Sequence, residues 1–134
     1  MFSKLKYKYD ENIKPPMPKI VAKIWTPKMG DFELELMVDT GFSGEVLIPY
    51  HLYDELKLTL LEVPDKYFGI LPVGIPIILH TALTEVSIGE LKFKVHVHSH
   101  PLISKRLAGR KLLNQLKILL NGPKKELEVL QSFS

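Results

Sequence analysis

Apolar and polar residues alternate with period two through much of the chain. Ile20, Ala22 and Ile24 alternate with Val21, Lys23 and Trp25, and Phe32, Leu34, Leu36 and Val38 alternate with Glu33, Glu35 and Met37. Leu91, Phe93, Val95 and Val97 alternate in the same way with Lys92, Lys94, His96 and His98. Successive side chains of a strand point to opposite faces, so each run predicts a strand with one face in a core. Shorter apolar runs at residues 45–48, 77–79 and 84–88 read as further strands. Residues 116–120 and 126–130 read as a final strand pair around Asn121-Gly122-Pro123. Met29-Gly30-Asp31 marks a turn, and Gly89-Glu90 marks a two-residue hairpin connection. A short helix is predicted over 50–56, just after Pro49. Residues 57–63 then return to extended chain. Ser104 is placed to cap a second short helix running to about residue 113. Many short strands with only two short helices predict an all-β, barrel-like domain.

Length and composition narrow the picture. The 134 residues fit a single domain, and 46% hydrophobic with 25% charged residues excludes wholesale disorder. Residues 1–18 read as a basic N-terminal arm, loosely attached and stiffened by Pro15, Pro16 and Pro18, with the domain proper over 19–134. Residues 1–28 carry seven Lys against Asp10 and Glu11, whereas the remainder is slightly acidic. A lysine-rich arm can touch nucleic acid or an anionic surface. The plainer reading is a solvated terminus, and a net charge of +3 makes no global case for nucleic-acid binding. No apolar run reaches the ~18–20 residues of a membrane helix, so no membrane span is expected. The opening MFSKLKYKYDENIKPP lacks the apolar segment of a secretory signal. The absence of cysteine excludes disulfides, thiolate metal sites and a Cys nucleophile, and it agrees with a cytoplasmic location.

The candidate chemistry lies at the end of the second alternating run. Asp39-Thr40-Gly41 follows an apolar strand and precedes Phe42-Ser43-Gly44. Such a strand aims the acid out of the end of a sheet, and the two glycines let the loop turn tightly and approach a partner closely. A hydroxyl residue beside the acid can bond the loop backbone. On residues alone, a β-turn in which Asp39 makes an Asx turn explains the motif equally well.

The run MVDTGFSGEVLIPYHLYDELKL resembles the active-site region of retropepsin-like aspartic proteases, above all small single-domain archaeal and bacterial members. A second block, Leu107-Ala108-Gly109-Arg110-Lys111-Leu112-Leu113, is similar to the Gly-Arg segment that opens the family's C-terminal helix. The resemblance spans roughly residues 19–131. It implies a closed barrel with one or two short helices, active as a two-fold homodimer. Each chain would supply one catalytic Asp39, with Thr40 linking the two loops and Gly41 admitting substrate backbone. It implies an aspartic endopeptidase that needs no cofactor and acts on peptide or unfolded protein. The segment GILPVGIP stands where the family has its flap, making Gly69, Ile70, Leu71, Pro72, Val73 and Gly74 substrate-binding candidates beside Phe42; a buried loop is the other reading. Residues 126–130 form an apolar segment able to pair across the dimer interface. Three positions depart from the family. Phe42 stands where retroviral enzymes have Ala and pepsins have Ser, so its ring lies either against the carboxylates or in the core. Ser43 replaces an acid that often pairs with the arginine, leaving Glu45 as a candidate partner for Arg110. Lys111 stands where Asp or Asn is commoner.

His96, His98 and His100 share one face of a continued strand at ~6.5–7 Å spacing, a geometry that can ligate zinc. Alternation with Val95 and Val97 turns them instead toward solvent or a dimer contact, with Pro101 ending the strand. No fourth protein ligand is evident, and no metal site is assigned. Lys105, Arg106, Arg110 and Lys111 read as a solvated helix end. A non-proteolytic peptide-binding or dimerisation module on the same fold is the alternative function, since fold does not fix function.

Overall fold

A computed structural model describes residues 2–132. Six strands close into a barrel: β2 (Lys19–Thr26), β3 (Gly30–Asp39), β8 (Leu107–Gly109), β4 (Val46–Leu47), β7 (Leu91–Ser99) and β6 (Pro76–Ile88). β2 pairs antiparallel with β3 along its whole length, and the ring closes where Lys23 and Ile24 of β2 meet Ser87 and Val86 of β6. Two contacts in the ring are parallel, β3 with β8 and β4 with β7. The period-two pattern is what builds the interior. Ile20, Ala22, Ile24, Leu34, Leu36, Val86, Val95 and Val97 are all buried. Each large aliphatic side chain removed from water contributes about 1.5–3 kcal/mol.

Helix α1 (Tyr50–Glu55) follows Pro49 and buries Leu52 and Tyr53. Residues 57–63 are not extended throughout: Leu58–Leu61 forms a short 3-10 turn that buries Leu58. The two strands expected at 77–79 and 84–88 are one continuous β6. Its first part pairs with β5 (Tyr67–Ile70), and its second part pairs with β7. The helix expected from Ser104 is also corrected. Leu107–Gly109 is extended and joins the barrel, and α2 is only Arg110–Leu113.

The loose arm is corrected as well. β1 (Phe2–Lys8) pairs antiparallel with β10 (Glu126–Ser132), and β10 pairs on its other side with β9 (Lys117–Asn121). Lys4, Lys6 and Lys8 are exposed, whereas Leu5 and Tyr7 pack on the core. Lys4 and Lys6 both reach Glu128 at 3.8 Å. Because both edges of β10 are occupied within the chain, residues 126–130 are not free to pair across an interface. No helix among the described residues is long and apolar enough to cross a membrane.

Candidate active site

β3 carries Asp39 to its C-terminal end, where the strand stops opposite Gly109 of β8. The acid is half-buried. The Gly41 N–H donates to its Oδ1 at 2.9 Å, so the Asx turn does form, and it fixes the carboxylate at the mouth of a cleft. A Cβ at Gly41 would stand 3.1 Å from that oxygen, so glycine keeps the approach open.

The two blocks singled out in the sequence hold each other. The N–H groups of Gly109, Arg110 and Lys111 donate to the carbonyls of Glu45, Phe42 and Gly44 at 2.8, 2.7 and 3.2 Å. This contact requires glycine at position 109, because a Cβ there would meet Gly44 O at 2.2 Å and the Phe42 ring at 2.5 Å. The Arg110 guanidinium donates to Thr40 O at 3.1 Å. Glu45 is therefore not its partner; that carboxylate takes His96 instead. Phe42 is half-buried between the cleft and a side cavity. Its ring lies over Gly44 and Gly109 and meets His98 edge-on, with 6.1 Å between centroids.

The cleft measures about 700 Å³. It brings Asp39, Gly41 and Phe42 together with Gly69, Ile70, Leu71 and Pro72 from the β5–β6 hairpin. That hairpin is no buried loop: Ile70 and Val73 are 78% and 76% exposed. Thr40 does not line the cleft, nor do Val73 and Gly74 at the hairpin tip. Gly74 has a φ of +85°, which suits the tight turn there. The sequence reading missed the opposite wall, formed by Leu102, Ile103, Ser104, Lys105 and Leu107. The signal was the apolar pair Leu102-Ile103 directly after Pro101, where the Ile103 N–H donates to His100 O in a turn.

A smaller side cavity of about 210 Å³ shares Phe42, Ser43 and Phe68 with the cleft. Glu45, Tyr67, His96, His98 and Lys111 also line it. The histidines thus do not face open solvent. His98 is 5% exposed and shares a 2.8 Å hydrogen bond with the Thr81 hydroxyl. Burial, helped by the charges of His96 and Lys111, pushes its imidazole down to about 4. His100 leaves the row, accepting the Leu102 N–H at Nδ1. Among the described residues no group of three or more His, Cys, Asp or Glu is placed to hold a metal ion.

No protein-family profile matches the sequence, and no curated protein matches it significantly. Solved structures do match in fold. A retropepsin-like aspartic protease from Rickettsia conorii superposes with a TM-score of 0.63 at 15% identity, over 100% of this chain and 95% of that one. The EIAV protease in complex with an inhibitor gives 0.54 at 21% identity, over 74% and 86% of the two chains. The retroviral protease-like domain of Ddi1 from Leishmania major gives 0.50 at 14% identity, over 80% and 82%. A six-strand barrel with two parallel contacts, an acid at the end of β3 and a hairpin lining the same cleft accompany this likeness: the chain has the retropepsin-like fold.

Proposed function

We propose that the protein is an aspartic endopeptidase whose active form is a homodimer with Asp39 from each chain at its centre. The observation that carries the reading is Asp39 at the mouth of an apolar cleft, covered by an exposed hairpin. One Asp-Thr-Gly motif in 134 residues supplies one carboxylate, so a two-carboxylate mechanism draws the second from a second copy. Two carboxyl groups about 3 Å apart share one proton, because like charges that close do not both ionise. The ionised one takes a proton from a bound water as that water attacks the peptide carbonyl. The protonated one donates to the carbonyl oxygen as negative charge develops there. Thr40 would link the two loops across the two-fold axis. Gly69 to Gly74 would lie over the substrate and exclude water.

The apolar walls, Leu47, Phe68, Ile70, Leu102, Ile103 and Leu107, favour an extended peptide with apolar side chains near the bond that is cut. The exposed Ile70, Val73 and Ile75 of the hairpin are available to pack on substrate or on the partner's hairpin. The test is hydrolysis of an unfolded protein from acid to neutral pH. The reading expects a bell-shaped rate profile and inhibition by a hydroxyl-bearing transition-state mimic. It also expects no turnover from a folded Asp39→Asn variant. Peptide binding without cleavage by the wild type would favour the binding-module alternative.

A further inference from the structure

Resting on the reading that the β5–β6 hairpin covers bound peptide, we infer that Glu45, His96 and Tyr67 are positioning residues coupling that hairpin to the Asp39 loop. The direction of the two bonds to Glu45 follows from chemistry. The Glu45 side chain is 5% exposed, and an ionised carboxylate only accepts hydrogen bonds. Both of its contacts with His96 are therefore donations, from the backbone N–H at 2.9 Å and from Nδ1–H at 3.1 Å. The Nδ1 contact leaves Nε2 on the far side of the ring to bond a second group. The Tyr67 hydroxyl stands 3.2 Å from Nε2 and shares a hydrogen bond with it.

Tyr67 is the first residue of β5, the root of the hairpin. Glu45 closes the Asp39 loop, and its carbonyl accepts the Gly109 N–H. A continuous polar chain thus runs from the loop that holds the acid to the base of its cover. Phe68, Gly69 and Ile70, the residues after Tyr67, line the cleft beside Asp39. Holding Tyr67 holds these three in place. The Tyr67 ring also packs on His96 and His98, with centroids 5.0 and 5.2 Å away. Those contacts are apolar and survive loss of the hydroxyl. A cover fixed before peptide arrives has less conformational freedom to lose on binding, so the network acts on KM rather than on the chemical step.

The test is Tyr67→Phe in the full chain, read by amide hydrogen exchange and by peptide kinetics. Loss of one net hydrogen bond corresponds to about a fivefold effect. Amides of Tyr67–Ile70, Leu71 and Gly74 are expected to exchange about fivefold faster, while those of Ile24 and Val86 in the barrel keep their rates. KM is expected to rise about fivefold with kcat unchanged. Unchanged hairpin exchange overturns the inference. So does acceleration spread evenly over the barrel, which marks a merely structural role, or a fall in kcat at constant KM. A wild type that cleaves no peptide would defeat the protease reading alone, and the exchange pattern would still decide the coupling.

Discussion

His98 ties the stability of the fold to pH in a predictable direction. Its imidazole is almost fully buried beside His96 and Lys111, and its pKa falls from 6.5 to about 4. In the unfolded chain the ring titrates at its ordinary value. Between these two pH values the unfolded state binds the proton and the native state does not. The contribution of His98 is therefore fully present above pH 6.5, declines as pH falls through that value, and levels off below about 4. At about 1.4 kcal/mol per tenfold change, the lowering sets an upper bound of about 3–4 kcal/mol. The perturbation is His98→Gln, which keeps a group able to bond the Thr81 hydroxyl but does not titrate. The assay is urea unfolding of both proteins at a series of pH values. Other carboxylates and histidines titrate in both, so the difference between the two stability curves isolates His98. That difference is expected to shrink by about 2–3 kcal/mol on going from neutral pH to pH 4. Parallel curves would refute the reasoning, and so would a wild type gaining on the variant as acid is added.

Three further outcomes follow from the packing. Gly109→Ala drives a Cβ into Gly44 O and the Phe42 ring, and it should cost about 3 kcal/mol or more by denaturant titration. Phe42→Ser removes the ring shared by the two cavities. It should cost about 2 kcal/mol, leaving the rate–pH profile of any hydrolysis in place because the ring lies on Gly44, Gly109 and His98. Tyr53→Phe deletes a donor that reaches Glu62 at 2.8 Å, the carboxylate that also holds His80 at 3.1 Å, and should lower the unfolding free energy by about 1 kcal/mol.

What the sequence revealed and what it hid have physical causes. β2, β3 and most of β7 were legible because each has one face in the barrel and one outside, so polarity follows the pleat. The Asp39 loop and its Gly109 partner were legible as motifs because close backbone contact restricts which residues fit. β1 was not legible, although Leu5 and Tyr7 alternate with lysines. Lys4, Lys6 and Lys8 make its outward face read as solvated, and its partner Glu128 lies at the far end of the chain. The burial of His98 was hidden for a related reason. Alternation placed it outside the barrel, but Phe42 and Tyr67 from two other segments cover it there. The wall at 102–107 failed because Ser104 is a good helix cap in isolation, while β8 exists only through its pairing with β3 and β4.

The central claim is that two copies of Asp39 act as one unit, and subunit mixing tests it most directly. Wild-type and Asp39→Asn chains, unfolded and refolded together in equal amounts, reassociate at random, and about one quarter of the dimers carry two aspartates. Asn keeps an oxygen for the Gly41 N–H, so the loop geometry survives the change. Peptide hydrolysis per folded chain is predicted to fall to about one quarter of the wild-type value and to follow the square of the wild-type fraction across other ratios. Activity that follows the wild-type fraction in a straight line, giving about one half at equal amounts, would contradict the shared dyad.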